Sequence, residues 1–419
     1  MNTDLKSDNS SSSLLLGAGI AAALGSMTSL MISPYLGLHA KSLAAPATII
    51  GIILAVRNYT QILFRVPLGK LSDSYGRVSL IRFGFMMYAT ACLLLFLGPT
   101  WHFVLLATFF IGIGMSAIWP SLLALAGDAS PDQIGRATGK ILRMNDIGAF
   151  LAPLIGGLVL DIPGSTYRWV FATAMALAFI GLLSIGIILH EPIENTKEMN
   201  PSNFMKDLKE NVKNGFSDAG KAMAVKSLLY AYIIAFFVAM AGNATFNYVP
   251  FLMKENHIPD PWIGYIFASF TVPVMIVKVW LGSRVDYLGF KKTTGISLVL
   301  AGLAIYFTAL SKTPLEYFSS LTLLFASMSI AYPAFNQLVS KESKGIIGKG
   351  IAIGTLGIYV SIGRGTSNLL VGLLWSHIPL KEAFYLMAAT IFIIGILVLI
   401  FPSPYLKEVK SDISTTTKN

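Results

Sequence analysis

The stretch GKLSDSYGR (residues 69–77) returns in altered form as GSRVDYLGFKK (residues 282–292), and this repetition decides how the chain is built. Gly69, Asp73 and Gly76 of the first copy align with Gly282, Asp286 and Gly289 of the second at a constant offset of 213 residues. The same offset pairs Gly51 with Gly264, Arg65 with Lys278, Pro120 with Pro333, and Gly135-Arg136 with Gly348-Lys349. Matches spread this widely describe a duplicated half, since chance similarity of one loop leaves the flanking segments unrelated.

Outward from the two loops the chain is strongly apolar. Of its 419 residues 54% are hydrophobic and 12% charged, about half the charge of a soluble domain, which leaves too little polar surface for a water-soluble body. Twelve apolar runs are predicted, over 14–38, 47–67, 80–97, 104–126, 141–160, 169–189, 227–252, 262–281, 294–310, 321–339, 351–375 and 383–401. A helix needs about 20 residues to cross the hydrocarbon core. In lipid the backbone must satisfy its own hydrogen bonds, so these runs read as helices. The expected organisation is a tail (1–13), a six-helix bundle (14–190), a polar linker (191–226), a second six-helix bundle (227–402) and a second tail (403–419). The first run lacks a small-residue cleavage site and reads as a spanning helix, not a removed leader.

Cations give the orientation. Twenty-one of the 31 Lys and Arg fall in the tails and in the loops after runs 2, 4, 6, 8 and 10; by the positive-inside rule that side is cytoplasmic, both termini included. The net charge of +10 is thus spread over short loops and forms no nucleic-acid-binding face. The linker carries an amphipathic stretch, NFMKDLKENVKNGF from Asn203, expected to lie along the membrane surface. The single cysteine, Cys92, lies within an apolar run and reads as a small buried hydrophobe.

The loop motif, its second copy, the central linker and the six-plus-six layout together resemble the major facilitator superfamily over essentially the whole chain between the tails. The resemblance implies an all-α membrane fold of twelve transmembrane helices in two pseudo-symmetric bundles, with the solute site between them near the midplane. It also implies that Asp73 and Arg77 form a conformational latch with Asp128, the acid at the end of the fourth helix; the alternative is that these residues only fix topology. The segment Gly148-x-x-x-Ala152-Pro153-x-x-Gly156-Gly157 is similar to a fifth-helix pattern frequent in the family's drug:proton antiporters, with Ala in place of a Gly. The family's fourth-helix proton-relay arginine has no counterpart, because Thr108 stands four residues before Gly112.

Charges inside membrane helices are costly and mark cavities or partners. Asp146 is the only acid inside an apolar run, three residues after Arg143; it reads either as a proton carrier or as a structural carboxylate, paired on its own helix with Arg143 or across helices with Arg57 or Arg364. Arg65 and Lys278 lie near run ends and are expected to snorkel outward. Arg57 and Arg364 lie deeper with no acid nearby in sequence, which points to an anionic group on the solute, since guanidinium binds carboxylate and phosphate bidentately. Asn243, Asn247, Tyr332 and Asn336 are further candidates for the cavity, and Trp119 for stacking on an organic solute; core packing is the competing explanation for each. The histidines sit at run ends without metal spacing, and no hydrolase or nucleotide-binding motif occurs. The chain therefore reads as a monomeric transporter without cofactor or catalytic residues, residing in the cell membrane. Three functions stay open: proton-coupled export of small organic or drug-like compounds, uptake or exchange of an organic anion, and a non-transporting sensor on the same fold.

Overall fold

The computed structural model describes residues 2–130, 133–189, 191, 201–282, 285–343 and 348–401. Thirteen helices occupy them: α1 (Asn2–Ser42), α2 (Ala47–Tyr75), α3 (Arg77–Leu97), α4 (Trp101–Ala129), α5 (Ile134–Asp161), α6 (Tyr167–Ile188), α7 (Pro201–Met223), α8 (Lys226–Glu255), α9 (Asp260–Gly282), α10 (Val285–Leu310), α11 (Pro314–Glu342), α12 (Lys349–Trp375) and α13 (Leu380–Ile400). Eleven are long and apolar enough to cross a membrane. The twelfth expected span, α12, matches them in length but carries Thr355, Ser361, Arg364, Thr366, Ser367 and Asn368. It lies between α8 and α2, so protein faces these groups on two sides.

Helices α1–α6 pack among themselves, as do α8–α13. The outer helices present large apolar side chains to their surroundings, among them Leu183 and Ile187 on α6 and Ile393 and Leu397 on α13, as a surface facing hydrocarbon requires. Several helices keep internal prolines; Pro120 in α4 and Pro333 in α11 are related by the 213-residue offset. Such helix breakers are tolerated in lipid because neighbouring helices re-satisfy the freed carbonyls.

Two helix pairs join the halves: α2 with α12, and α5 with α9. They are the same seam seen twice, since the offset of 213 carries α2 onto α9 and α5 onto α12. Glycine makes the close approach possible. A Cβ on Gly51 would lie 3.0 Å from Gly372 Cα across the first seam, and one on Gly157 would lie 2.7 Å from the Pro261 carbonyl oxygen across the second. The halves also touch at the ends of α1 and α8. There a Cβ on Gly37 would meet the Phe251 ring at 2.8 Å, and Lys41 Nζ stands 5.0 Å from the Trp375 ring.

The linker helix α7 does more than lie beside the bundle. Its apolar face is buried on the first half, where Phe204 and Leu208 join Leu71, Tyr75 and Leu80 in a small separate core. Tyr75 also donates a hydrogen bond to Asp207 at 3.1 Å.

Candidate functional site

At the α2–α3 turn, Gly76 takes φ = +95°, a conformation that costs any other residue backbone strain. Arg77 opens α3. Its guanidinium pairs with Asp73 one turn back and with Asp128 at the end of α4, Nε to Oδ2 at 3.1 Å; its Nη1 donates to Ser72 Oγ at 2.7 Å. The three residues of the expected latch are therefore in contact within one half.

A fourth residue, not expected, completes the turn. Glu191, just past α6, accepts hydrogen bonds from the backbone N–H groups of Arg77 and Val78, both at 2.9 Å. It neutralises the otherwise unpaired donors of the α3 N-terminus, where negative charge is favoured. A Cβ at position 76 would overlap the Glu191 carboxylate. Gly76→Ala is accordingly expected to lose about 1–3 kcal/mol of stability from strain and a displaced cap, read as a lower melting temperature of the purified protein. In the second copy, Gly289 repeats the left-handed turn at φ = +72° and Gly282 ends α9, whereas the Asp286 side chain lies outside the described residues.

The intramembrane charges are arranged differently from the expectation. Asp146 does not pair with Arg143 on its own helix. Its Oδ2 receives Lys278 Nζ at 3.0 Å across the α5–α9 seam, while Arg143 Nε donates to its own helix at the Gly139 carbonyl, 3.3 Å away. Lys278 thus does not simply snorkel; a carboxylate from the other half holds it.

Arg65, its counterpart in the first half, also turns to the seam. A Cβ on Gly357 of α12 would sit 3.3 Å from Arg65 Nη1, so glycine there leaves room for the guanidinium. Arg364 is also on α12, next to Gly365, where a Cβ would lie 2.8 Å from the Tyr59 ring of α2. Arg57 Nη1 donates to Ser33 Oγ on α1 at 2.7 Å, and Ser33 in turn donates to the Ser29 carbonyl at 2.9 Å. No acidic residue pairs with any of the three arginines among the described residues. Each is half-buried. Arg57 and Arg65 on α2 and Arg364 on α12 thus all belong to the two helices of the first seam, and none pairs with an acid among the described residues.

The remaining candidates divide by what they touch. Asn243 Nδ2 donates to the Arg364 carbonyl at 3.0 Å, fixing α12 against α8 beside the arginine. Asn247 is buried and donates to Asn368 Oδ1 at 3.1 Å. Asn368 passes the bond on across the seam to the Leu54 carbonyl at 2.9 Å, and Tyr248 donates to the Asn368 carbonyl at 2.8 Å. Tyr59 and Thr366 hydroxyls meet across the same seam at 3.2 Å. Trp119 is half-buried against the apolar core, Tyr332 stands edge-on to Phe335, and Asn336 is exposed. At the position equivalent to Arg57 the second half carries Phe270, stacked on Phe325 at 4.9 Å, with Phe246 against both Phe325 and Phe267.

Comparison with known proteins agrees with this architecture. The sequence model of the Major Facilitator Superfamily matches residues 14–344 and, in a second match, 231–417. An uncharacterised transporter of that type from Methanocaldococcus jannaschii is 23% identical over 368 residues, covering 87% of this chain and 92% of its own. Multidrug resistance protein 2 of Bacillus subtilis is 23% identical over 382 residues, covering 87% and 89%. Among solved structures, the nucleoside transporter NupG superposes with a TM-score of 0.74 at 14% identity, over 92% of this chain and 99% of that one.

Proposed function

Because this chain belongs to the major facilitator superfamily, we propose that it is a secondary transporter whose solute is a small organic anion, carried by alternating access as the halves rock about the two glycine seams. One observation carries the reading: Arg57, Arg65 and Arg364 lie on the two helices of the α2–α12 seam, and none pairs with an acid among the described residues. Uncompensated charge inside a membrane protein is expensive and persists where function uses it, and guanidinium groups recognise carboxylate and phosphate.

Coupling to protons and movement outward are the second part of the proposal. The Bacillus relative is named for multidrug resistance, and of the Gly148–Gly157 stretch, whose Gly148 and Gly156 pack on α1, Gly157 meets α9 at the seam that the Asp146–Lys278 pair also crosses. Protonation of Asp146 removes the pair and frees α5 from α9, so a proton arriving there favours separation of the halves. Asp146→Asn is expected to abolish accumulation driven by a pH gradient while leaving solute exchange within about threefold of wild type. Gradient-driven accumulation that survives this change rules out Asp146 as the coupling group. By the positive-inside rule the cation-rich loops support a cytoplasmic motif face and cytoplasmic termini in a cell-membrane protein. Uptake of the anion uses the same residues in the opposite direction.

The binding test is direct. Purified protein is titrated with small carboxylic acids and with their uncharged amides, and heat of binding and melting temperature are followed. Binding of the acids alone supports the reading, and equal binding of the amides overturns it.

A further inference from the structure

The linker helix α7 is fastened near both of its ends. Near its start, Phe204 and Leu208 are buried in the small core with Leu68, Leu71, Tyr75 and Leu80 of the first half. The Phe204 ring stands edge-on to Tyr75 at 5.5 Å and lies 5.7 Å from Phe83, and Tyr75 Oη donates to Asp207 Oδ2 at 3.1 Å. Near its end, Ala219 and Ala222 are buried, and only Ala224 and Val225 separate α7 from α8 of the second half. Phe204 and Ala222 stand about 27 Å apart along the helix axis at 1.5 Å per residue.

The duplication supplies an internal control for the docking surface. The offset of 213 carries Leu71, Tyr75 and Leu80 onto Arg284, Leu288 and Thr293. Arg and Thr thus replace two of the three apolar residues in the second copy, and the tyrosine hydroxyl that bonds Asp207 has no counterpart there. The spanning fold itself does not require an apolar patch beside this turn. The half that receives α7 has one.

Helix α7 packs on both α2 and α12, the two helices of the first seam. Toward the motif face that seam still touches where a Cβ on Gly354 would lie 3.8 Å from Val66. Helix α2 runs on from there to Tyr75, where α7 is docked. A helix does not stretch, so wide separation of the halves on this face pulls against the dock. Freeing it exposes the Phe204 and Leu208 side chains to water, which opposes release.

We propose that α7 is a strap limiting how far the two halves part on the motif face, fastened by Phe204, Leu208 and Tyr75. This role is independent of the chemistry of the solute.

The experiment uses the full chain in lipid nanodiscs without added solute. Spin labels are placed at Gly135→Cys, at the start of α5, and at Lys341→Cys, at the end of α11; both positions are exposed. Cys92 is fully buried and stays unlabelled. Pulsed electron-spin distances report the separation of the halves, and hydrogen exchange reports whether α7 is docked. Phe204→Ala with Leu208→Ala is expected to speed exchange in α7 at least tenfold while α8 stays protected. The share of molecules beyond the wild-type distance range then rises at least threefold. Tyr75→Phe, which removes only the bond to Asp207, moves both readouts the same way by less. Phe204→Asp puts a carboxylate where no apolar core can hold it, so it frees α7 should the alanine pair leave it docked. Distances that stay unchanged or shorten once α7 exchange has risen overturn the strap. An α7 that stays protected in Phe204→Asp overturns the dock itself. Failure of the protein to bind any acid leaves this result standing, so the two readings fail separately.

Discussion

Gly264→Leu abolishes transport without preventing insertion of the protein. A Cβ built on Gly264 falls on the Pro153 carbonyl oxygen and 2.6 Å from the Gly157 nitrogen. The obstacle is backbone, which cannot swing aside as a side chain does. Helices in lipid associate through close packing of small residues, with no hydrophobic drive to restore the contact once it is lost. Leucine therefore forces α9 from α5 and removes the arrangement in which the halves touch at this level. Each half keeps its own packing, because Gly264 faces the seam. The expected result is a properly inserted protein whose exchange rate falls at least a hundredfold. Gly186→Leu serves as the control: nothing lies within 4 Å of a Cβ at position 186, and its transport should stay within twofold of wild type. Near-normal transport by Gly264→Leu contradicts the assignment of α5–α9 as a moving seam.

Arg57→Gln produces the second large effect, and its signature is a divergence between stability and function. Among the described residues Arg57 bonds to Ser33 and pairs with no acid, and Arg364 is on the helix packed against its own. Removing it takes away a half-buried charge that no acid balances among the described residues, so the melting temperature without added acid rises or holds, although the 2.7 Å bond to Ser33 is lost. Solute affinity moves the other way. Losing one partner of a buried, hydrogen-bonded charge pair costs about 2–5 kcal/mol, which is a weakening of roughly 30-fold or more. A purely structural arginine would lower stability and leave the affinity of the surviving folded protein unchanged. Melting curves with and without a bound carboxylate separate these outcomes, since a ligand stabilises only what it binds.

What the sequence revealed and what it hid follow from the range of the interactions. Spanning helices announce themselves locally, because hydrocarbon demands long apolar runs, and the repeat emerged because its matches share one offset. α12 is instructive: its polar residues make it the least apolar of the twelve spans, and they are the ones that bind α8 and α2. The contact of Arg77 with Asp73 was legible because the two are neighbours on one turn, and its contact with Asp128 through resemblance. Glu191 was not, as its bonds to Arg77 and Val78 join residues 114 and 113 positions apart. The nearest cation in sequence to Asp146 is Arg143, but its partner in space is Lys278, 132 residues away. Arg65 looked like a snorkelling end residue because helix depth alone favours that; only the packing of α2 on a glycine of α12 turns it inward. Asn247 had the composition of a solute ligand, yet it belongs to the Asn368 network that fastens α8 to α12.

The central claim, that the arginine cluster carries an organic anion between two rocking halves, is tested most directly by uptake of a radiolabelled organic acid into proteoliposomes. Wild type, Arg364→Gln and Gly264→Leu are reconstituted side by side at equal density. The account predicts saturable uptake by wild type, abolished by excess of the unlabelled acid but not of its amide, with both variants reduced to the level of empty liposomes. Saturable uptake that Arg364→Gln supports as well as wild type would contradict it.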